Sequence, residues 1–244
     1  MNELGWLVPA FFVIALLYAS VGHGGASGYL AALSFVALRP DEMATTALTL
    51  NLFVAGTSFV SYARAGHFHW KLTWPFLMAS GPCAVLGGAM RVSAKVYSWL
   101  LALAFVFAAL RLVKEFHIPQ APKARPPSLA VALPVGGGIG WLSGVVGIGG
   151  GIFLSPLLLL LGWAGPKQTA AASAGFIVVN SAAGLIGRLT REGIHYGFLW
   201  PLLIAAFAGG LLGARLGANH FSGRTLRRVL AVVLVVAAIK LVVG

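Results

Sequence analysis

Two clusters of glycine interrupt otherwise apolar stretches of the chain: Gly22-His23-Gly24-Gly25 and Gly147-Ile148-Gly149-Gly150-Gly151. Glycine takes positive φ readily and lets a ligand approach the backbone. A helix that restarts after such a cluster presents first-turn N–H groups without intrahelical partners, at an end carrying roughly +0.5 charge. Away from water those donors need a partner, and an anion is one. Gly22, Gly24, Gly25, Ser27, Gly147, Gly149, Gly150 and Gly151 are therefore candidate substrate-binding residues, with Ser27 adding a hydroxyl. The same glycines would also serve close helix packing, as small residues do in membranes.

Three further residues join this constellation. His23 is the titratable residue inside a break, with an ordinary pKa of about 6.5. Protonated it would attract an anion and neutral it would release one, which would couple transport to protons; a neutral ring bonded to a nearby carbonyl is the competing reading. Asn51 and Asn180 lie in the spans that follow the two breaks. A buried amide needs partners, so each either contacts the ligand or ties one helix to another. Thr45, Thr46, Thr49, Ser173 and Ser181 add hydroxyls nearby, although such groups often bond back to their own helix. His67, His69 and His195 lack Cys or acidic companions at a ligand spacing. With Trp70, Trp74 and Trp200 they read as an interfacial belt, so no metal and no cofactor is expected. Cys83 has no base beside it in the sequence, which argues against a membrane-embedded enzyme.

The elements that must hold these residues are membrane helices. The 244 residues are 59% hydrophobic and only 9% charged, with mean hydropathy +0.92. So little charge cannot cover a soluble surface, and the chain reads as polytopic. Lys+Arg 17 against Asp+Glu 5 leaves +12, but the basic residues stand between apolar runs without a stripe to follow a nucleic acid. They are better read as an orientation signal. Glu3, Asp41, Glu42, Glu115 and Glu192 all fall at segment ends, so no carboxylate occupies a predicted span. A midplane cation site would normally use one.

Six stretches are long enough to span: 44–63, 72–90, 96–113, 168–187, 198–217 and 226–243. Segments 6–38 and 129–162 are too long for one helix and too short for two, and each contains a glycine break. About eleven residues follow each break, near 16 Å of helix and half of the apolar core. The Pro-rich stretch 114–128 separates two halves, giving a first transmembrane repeat 1–113, a cytoplasmic linker 114–128 and a second repeat 129–244.

The halves agree in order at an offset near 125. The glycine clusters coincide, His69-Trp70 falls on His195-Tyr196, Trp74-Pro75 on Trp200-Pro201 and Leu86-Gly87 on Leu212-Gly213; the asparagines need a shift of about four residues. If each broken segment crosses once, the basic residues show no side preference. If each re-enters, the halves are inverted. One side then collects Arg64, Lys71, Arg111, Lys114, Lys123, Arg125, Lys167, Arg215, Arg224, Arg227 and Arg228, and the other keeps Arg39, Arg91, Lys95, Arg188, Arg191 and Lys240. That bias favours the inverted arrangement, with the linker inside. The expected fold is an all-α polytopic membrane protein of two inverted repeats, each a glycine-broken re-entrant helical hairpin followed by three transmembrane helices.

The run Gly147-Ile148-Gly149-Gly150-Gly151-Ile152-Phe153-Leu154-Ser155-Pro156-Leu157 resembles the glycine-rich signature of the sulfite exporter TauE/SafE family. The first half holds a degenerate copy, Gly22 to Gly28, which lacks the proline and carries a histidine. The resemblance implies a multi-pass transporter or permease of the cell membrane for small anions, with sulfite and organosulfonates as the named substrate class. The expected partners are a small anionic substrate, the lipid bilayer and protons as a coupling ion, with no nucleic acid. A homo-oligomer is left open. A passive anion channel of the same architecture is the alternative.

Overall fold

The computed structural model describes residues 5–36, 38–113, 127–191 and 199–219. Among these residues the chain is entirely helical: α1 (Leu7–Ala19), α2 (Ala26–Leu33), α3 (Pro40–Arg64), α4 (Trp70–Ala89), α5 (Ala94–Val113), α6 (Leu129–Val146), α7 (Gly151–Leu160), α8 (Pro166–Leu189) and α9 (Leu199–Asn219). The glycine clusters are the points at which α1 gives way to α2 and α6 to α7. The linker core 114–126, the expected last span 226–243, His195 and Arg224, Arg227 and Arg228 lie outside the described residues.

Among the described residues four helices are long and apolar enough to cross a membrane: α3, α6, α8 and Trp200–Gly217 within α9. Large apolar side chains stand on the outside of the helix bundle, with Leu86 of α4, Leu103 of α5 and Ile204 of α9 each more than 60% exposed. A soluble protein could not leave such a surface uncovered; a bilayer covers it. Trp70 and Trp200 are exposed at the first turns of α4 and α9, in keeping with an interfacial belt.

The helices of the two halves are intercalated. α4 packs chiefly on α6, and α1 chiefly on α9. Both crossings are backbone-close, because glycines face carbonyls. Gly136, Gly140 and Gly144 of α6 lie on the backbone of Phe76, Ser80 and Ala84; Gly209, Gly213 and Gly217 of α9 lie on that of Phe12, Leu16 and Ser20. A methyl group at any of these positions would overlap the partner carbonyl. This is small-xxx-small packing, in which dispersion between close backbones replaces the hydrophobic effect that lipid cannot supply. One stripe sits on a broken helix and the other on a full span, so the same device is applied from opposite sides of two similar crossings.

At the centre α3 and α8 pack with opposed chain directions. Leu48 touches Gly184 near one end, and Phe59 touches Gly175 near the other. Each carries the same relation to the other half's break: Gly147 rests on Ala44 of α3, and Gly22 on Ala170 of α8. These contacts repeat at the sequence offset of about 125. The acidic first turn of α3 meets the basic end of α8, where Asp41 pairs with Arg188 and Arg191. At the opposite ends of the two helices, His69 Nε2 meets Gln168 Nε2 at 3.2 Å.

Candidate functional site

The chain leaves α1 through Ser20, Val21 and Gly22 (φ 76°) and enters α2 through Gly25 (φ 94°). It leaves α6 through Gly147 (φ 88°) and enters α7 through Gly149 (φ 77°) and Gly150 (φ 81°). These left-handed conformations are disfavoured for residues with a Cβ, which explains the choice of glycine at the two turns. All of the candidate cradle residues are buried.

The end of each broken helix leaves carbonyls without intrahelical donors, and the other elements supply them. For α1 the donors are neutral: Tyr62 Oη donates to Ser20 O at 3.0 Å, and Ser58 Oγ shares its one proton between Ala19 O at 3.4 Å and Val54 O at 3.2 Å. For α6 one is charged: Arg188 donates to Gly144 O at 3.0 Å and Val145 O at 2.7 Å, and Tyr97 Oη to Val146 O at 3.2 Å. A cation at a helix C-terminus also opposes the negative end of its dipole. Arg188 is only 4% exposed and keeps its charge partnered through Asp41 at 3.3 Å, which Arg191 shares at 2.8 Å. Burial lowers the Arg191 pKa, and the Asp41 carboxylate opposes that shift. The sequence marked Arg188 only as a charge at a span end. Its position immediately after the predicted span 168–187 was the available signal.

The two breaks meet through Asn51. Its Oδ1 accepts from the Ala26 N–H, in the first turn of α2, at 3.1 Å. Its Nδ2 donates to Ile148 O, in the second break, at 3.0 Å. An N–H on one side and a carbonyl on the other fix which way the amide faces. Gly24 is pressed against the same Oδ1, and a Cβ on Gly149 would fall 2.6 Å from Nδ2 and 3.1 Å from Ser181 Oγ. Gly24, Gly149, Asn51 and Ser181 therefore form one buried cluster. Gly149, the counterpart of Gly24 at the offset of about 125, also packs on Ile177, where Gly24 packs on Asn51 in the first break. In contact terms Asn51 corresponds to Ile177, and Asn180 falls elsewhere: its Nδ2 donates to Ser80 Oγ at 3.1 Å and Phe176 O at 2.8 Å, tying α8 to α4. Ser27 also turns away from the cluster, to Tyr18 Oη at 2.9 Å.

His23 reaches across the halves. Its Nδ1 meets Val21 O at 3.0 Å, which only an N–H can satisfy. In the neutral ring Nε2 is then the acceptor, and it meets Ser155 Oγ of α7 at 2.9 Å. Ser155 Oγ lies 2.7 Å from Ser173 Oγ of α8 and 2.8 Å from Gly151 O. The chain His23–Ser155–Ser173 links the first break to α7 and α8. Ser155 stands inside the glycine-rich signature, so the sequence pointed to its neighbourhood without separating it from the motif. Among the described residues no group of three or more His, Cys, Asp or Glu comes together as a metal site.

Residues 7–241 match the family described as sulfite exporter TauE/SafE. A probable membrane transporter protein of Sinorhizobium fredii is 39% identical over 240 residues, 96% of each chain. Another, of Bacillus subtilis, is 21% identical over 263 residues, 97% of this chain and 96% of that one. A third, of Methanocaldococcus jannaschii, is 28% identical over 203 residues, 78% of this chain and 74% of that one. No solved structure matches.

Proposed function

The chain belongs to the sulfite exporter TauE/SafE family and is a multi-pass membrane protein, and we propose that it is a secondary transporter for a small anion of the sulfite or organosulfonate class. The observation that carries this reading is the meeting of two helix breaks at one buried cluster, with the Ala26 N–H at the start of α2 inside it. Half-helix ends at the meeting of two repeats are where secondary transporters hold their substrates. The donors are neutral backbone and amide groups with a dipole behind them, which suits an anion.

The topology we assign is two inverted repeats, 1–113 and 129–244, joined by a cytoplasmic linker, each opening on a re-entrant hairpin. The opposed directions of α3 and α8 support it. So does the position of α2: it starts at Asn51, well inside α3, and its last turn is joined to the beginning of α3 by a short connection. Charge placement agrees with the same assignment, with Arg188 and Arg191 at the α3 start. Alternating access then rocks one half against the other about the central α3–α8 contact. Both breaks are packed shut here, which favours a carrier over a standing pore.

For proton coupling the candidate is His23, because its ring joins the first break to α7 and α8. Protonation makes both ring nitrogens donors. Ser155 then has to accept from the ring and turn its own proton to Gly151 O.

Flux measurements in proteoliposomes test the reading. Sulfite, sulfoacetate, taurine and simple carboxylates are offered with and without a pH gradient. Saturable flux of an anion with counterflow is expected. Flux without counterflow makes the protein a channel, and no anion flux under any gradient sinks the proposal.

A further inference from the structure

Asn51 fills a place that a ligand would take. Its Oδ1 accepts from the Ala26 N–H at the start of α2, and the residue is only 1% exposed. The first-turn N–H of a helix is where an anion's oxygen is held, and a carboxamide oxygen carries the same acceptor geometry without the charge. Meanwhile its Nδ2 closes on Ile148 O in the other break. A second observation points to a ligand. Ser181 Oγ is fully buried, has no hydrogen-bond partner and lies beside Gly149, on the same side as Asn51 Nδ2. A buried hydroxyl left in this state carries a desolvation penalty, which a ligand oxygen or proton acceptor in the cluster would remove.

We propose that Asn51 is a built-in stand-in for the transported anion: a latch whose carboxamide oxygen occupies the α2 N-terminus when the site is empty and is displaced when the anion arrives. The proposal rests on the anion-transport reading and assigns it a positioning residue. The direction of exchange follows from hydrogen-bond strength. An anionic oxygen makes a charge-assisted bond roughly twice as strong as a neutral one, so the substrate outcompetes the amide. When Oδ1 leaves Ala26 the carboxamide turns, and Nδ2 lets go of Ile148 O. Ser181 gains the partner it lacks. One side chain thus reports occupancy of the first break to the second, across 97 residues of sequence. The matching place in the second break holds Ile177, which cannot do this. The latch is therefore single.

An empty site that is self-occupied binds more weakly than an open one, because the competent state is only part of the population. Removing the latch should therefore tighten binding and slow turnover. The experiment measures binding to detergent-purified protein and counterflow in proteoliposomes, with sulfite and the other anions of the flux panel as probes. Wild type is compared with Asn51→Ala, Asn51→Ser and Asn51→Asp, after size-exclusion and thermal-melt controls. For Asn51→Ala and Asn51→Ser the dissociation constant is expected to fall about fivefold, the equivalent of one net hydrogen bond, while maximal flux drops. Asn51→Asp keeps the shape and places a fixed anion on α2, so binding is expected to vanish. If Asn51 were an ordinary substrate donor or a structural tie, the alanine and serine variants would bind more weakly or not at all. That result, or wild-type affinity in Asn51→Asp, overturns the latch alone. No saturable binding by wild type for any anion overturns the transport reading, and the latch with it.

Discussion

The first break and the second are built on one frame and finished differently. In both, an apolar helix stops, glycines carry the chain through left-handed turns, and a shorter helix restarts. In both, the first turning glycine rests on an alanine of the opposite half's central helix. The carbonyls at the stop are held by neutral hydroxyls in the first break and by a buried guanidinium and a tyrosine in the second. Facing the restart stands Asn51 in one and Ile177 in the other. His23 belongs to the first, with Ile148 at the corresponding place in the second. The frame is duplicated and the chemistry is not. The second break is pinned by a buried guanidinium whose removal would leave two carbonyls without their donor. The first is held by hydroxyls and an amide, each contributing about 1 kcal/mol.

The comparison is most severely tested at Arg188. Arg188→Leu strips donors from Gly144 O and Val145 O and leaves Asp41 to Arg191 alone. The expected loss is about 3 kcal/mol, read as a lower melting temperature in detergent, with transport lost. A melt close to wild type would mean that the second break is not pinned. Next comes Gly149→Ala. Its φ of 77° disfavours a Cβ, and the added atom meets Asn51 Nδ2. A conformational cost of about 1–2 kcal/mol and strongly reduced flux are expected. Unchanged flux would remove Gly149 from the cluster. Tyr62→Phe is the counterpart of the arginine change in the first break. It deletes the bond to Ser20 O and should lower stability by about 1 kcal/mol. A melt shift as large as that of Arg188→Leu would erase the contrast between the breaks. His23→Gln should affect stability least, because the amide can still bond Ser155 or Val21. Its expected signature is a flux that no longer varies between pH 5 and 8, the range in which a histidine titrates. A pH profile identical to wild type would take the proton out of the mechanism.

Much of the architecture was legible in the sequence because it rests on local physics. Apolar run length marks a span, and α3, α4, α5, α8 and α9 form where such runs were read. Glycine clusters mark a break, and both helices stop there. The site was legible only in part. Gly24, Gly149 and Asn51 do come together, while Ser27 and Asn180 face other helices. A shift of a few residues on a helix changes the face a side chain presents. Order in the sequence therefore paired Asn51 with Asn180, whereas contacts pair it with Ile177.

Composition and spacing by themselves determined that the chain lives in a membrane, that it breaks twice at matching places, and that no carboxylate enters a predicted span. Those are properties of single segments in a low-dielectric medium, where each backbone group must be satisfied. Only tertiary structure decided that Arg188 holds one broken helix and Tyr62 the other, that His23 reaches Ser155, and that a single asparagine closes both breaks at once. Each of those is a contact between residues far apart in the chain, set by how α3 and α8 cross, and no local pattern in the sequence encodes a crossing.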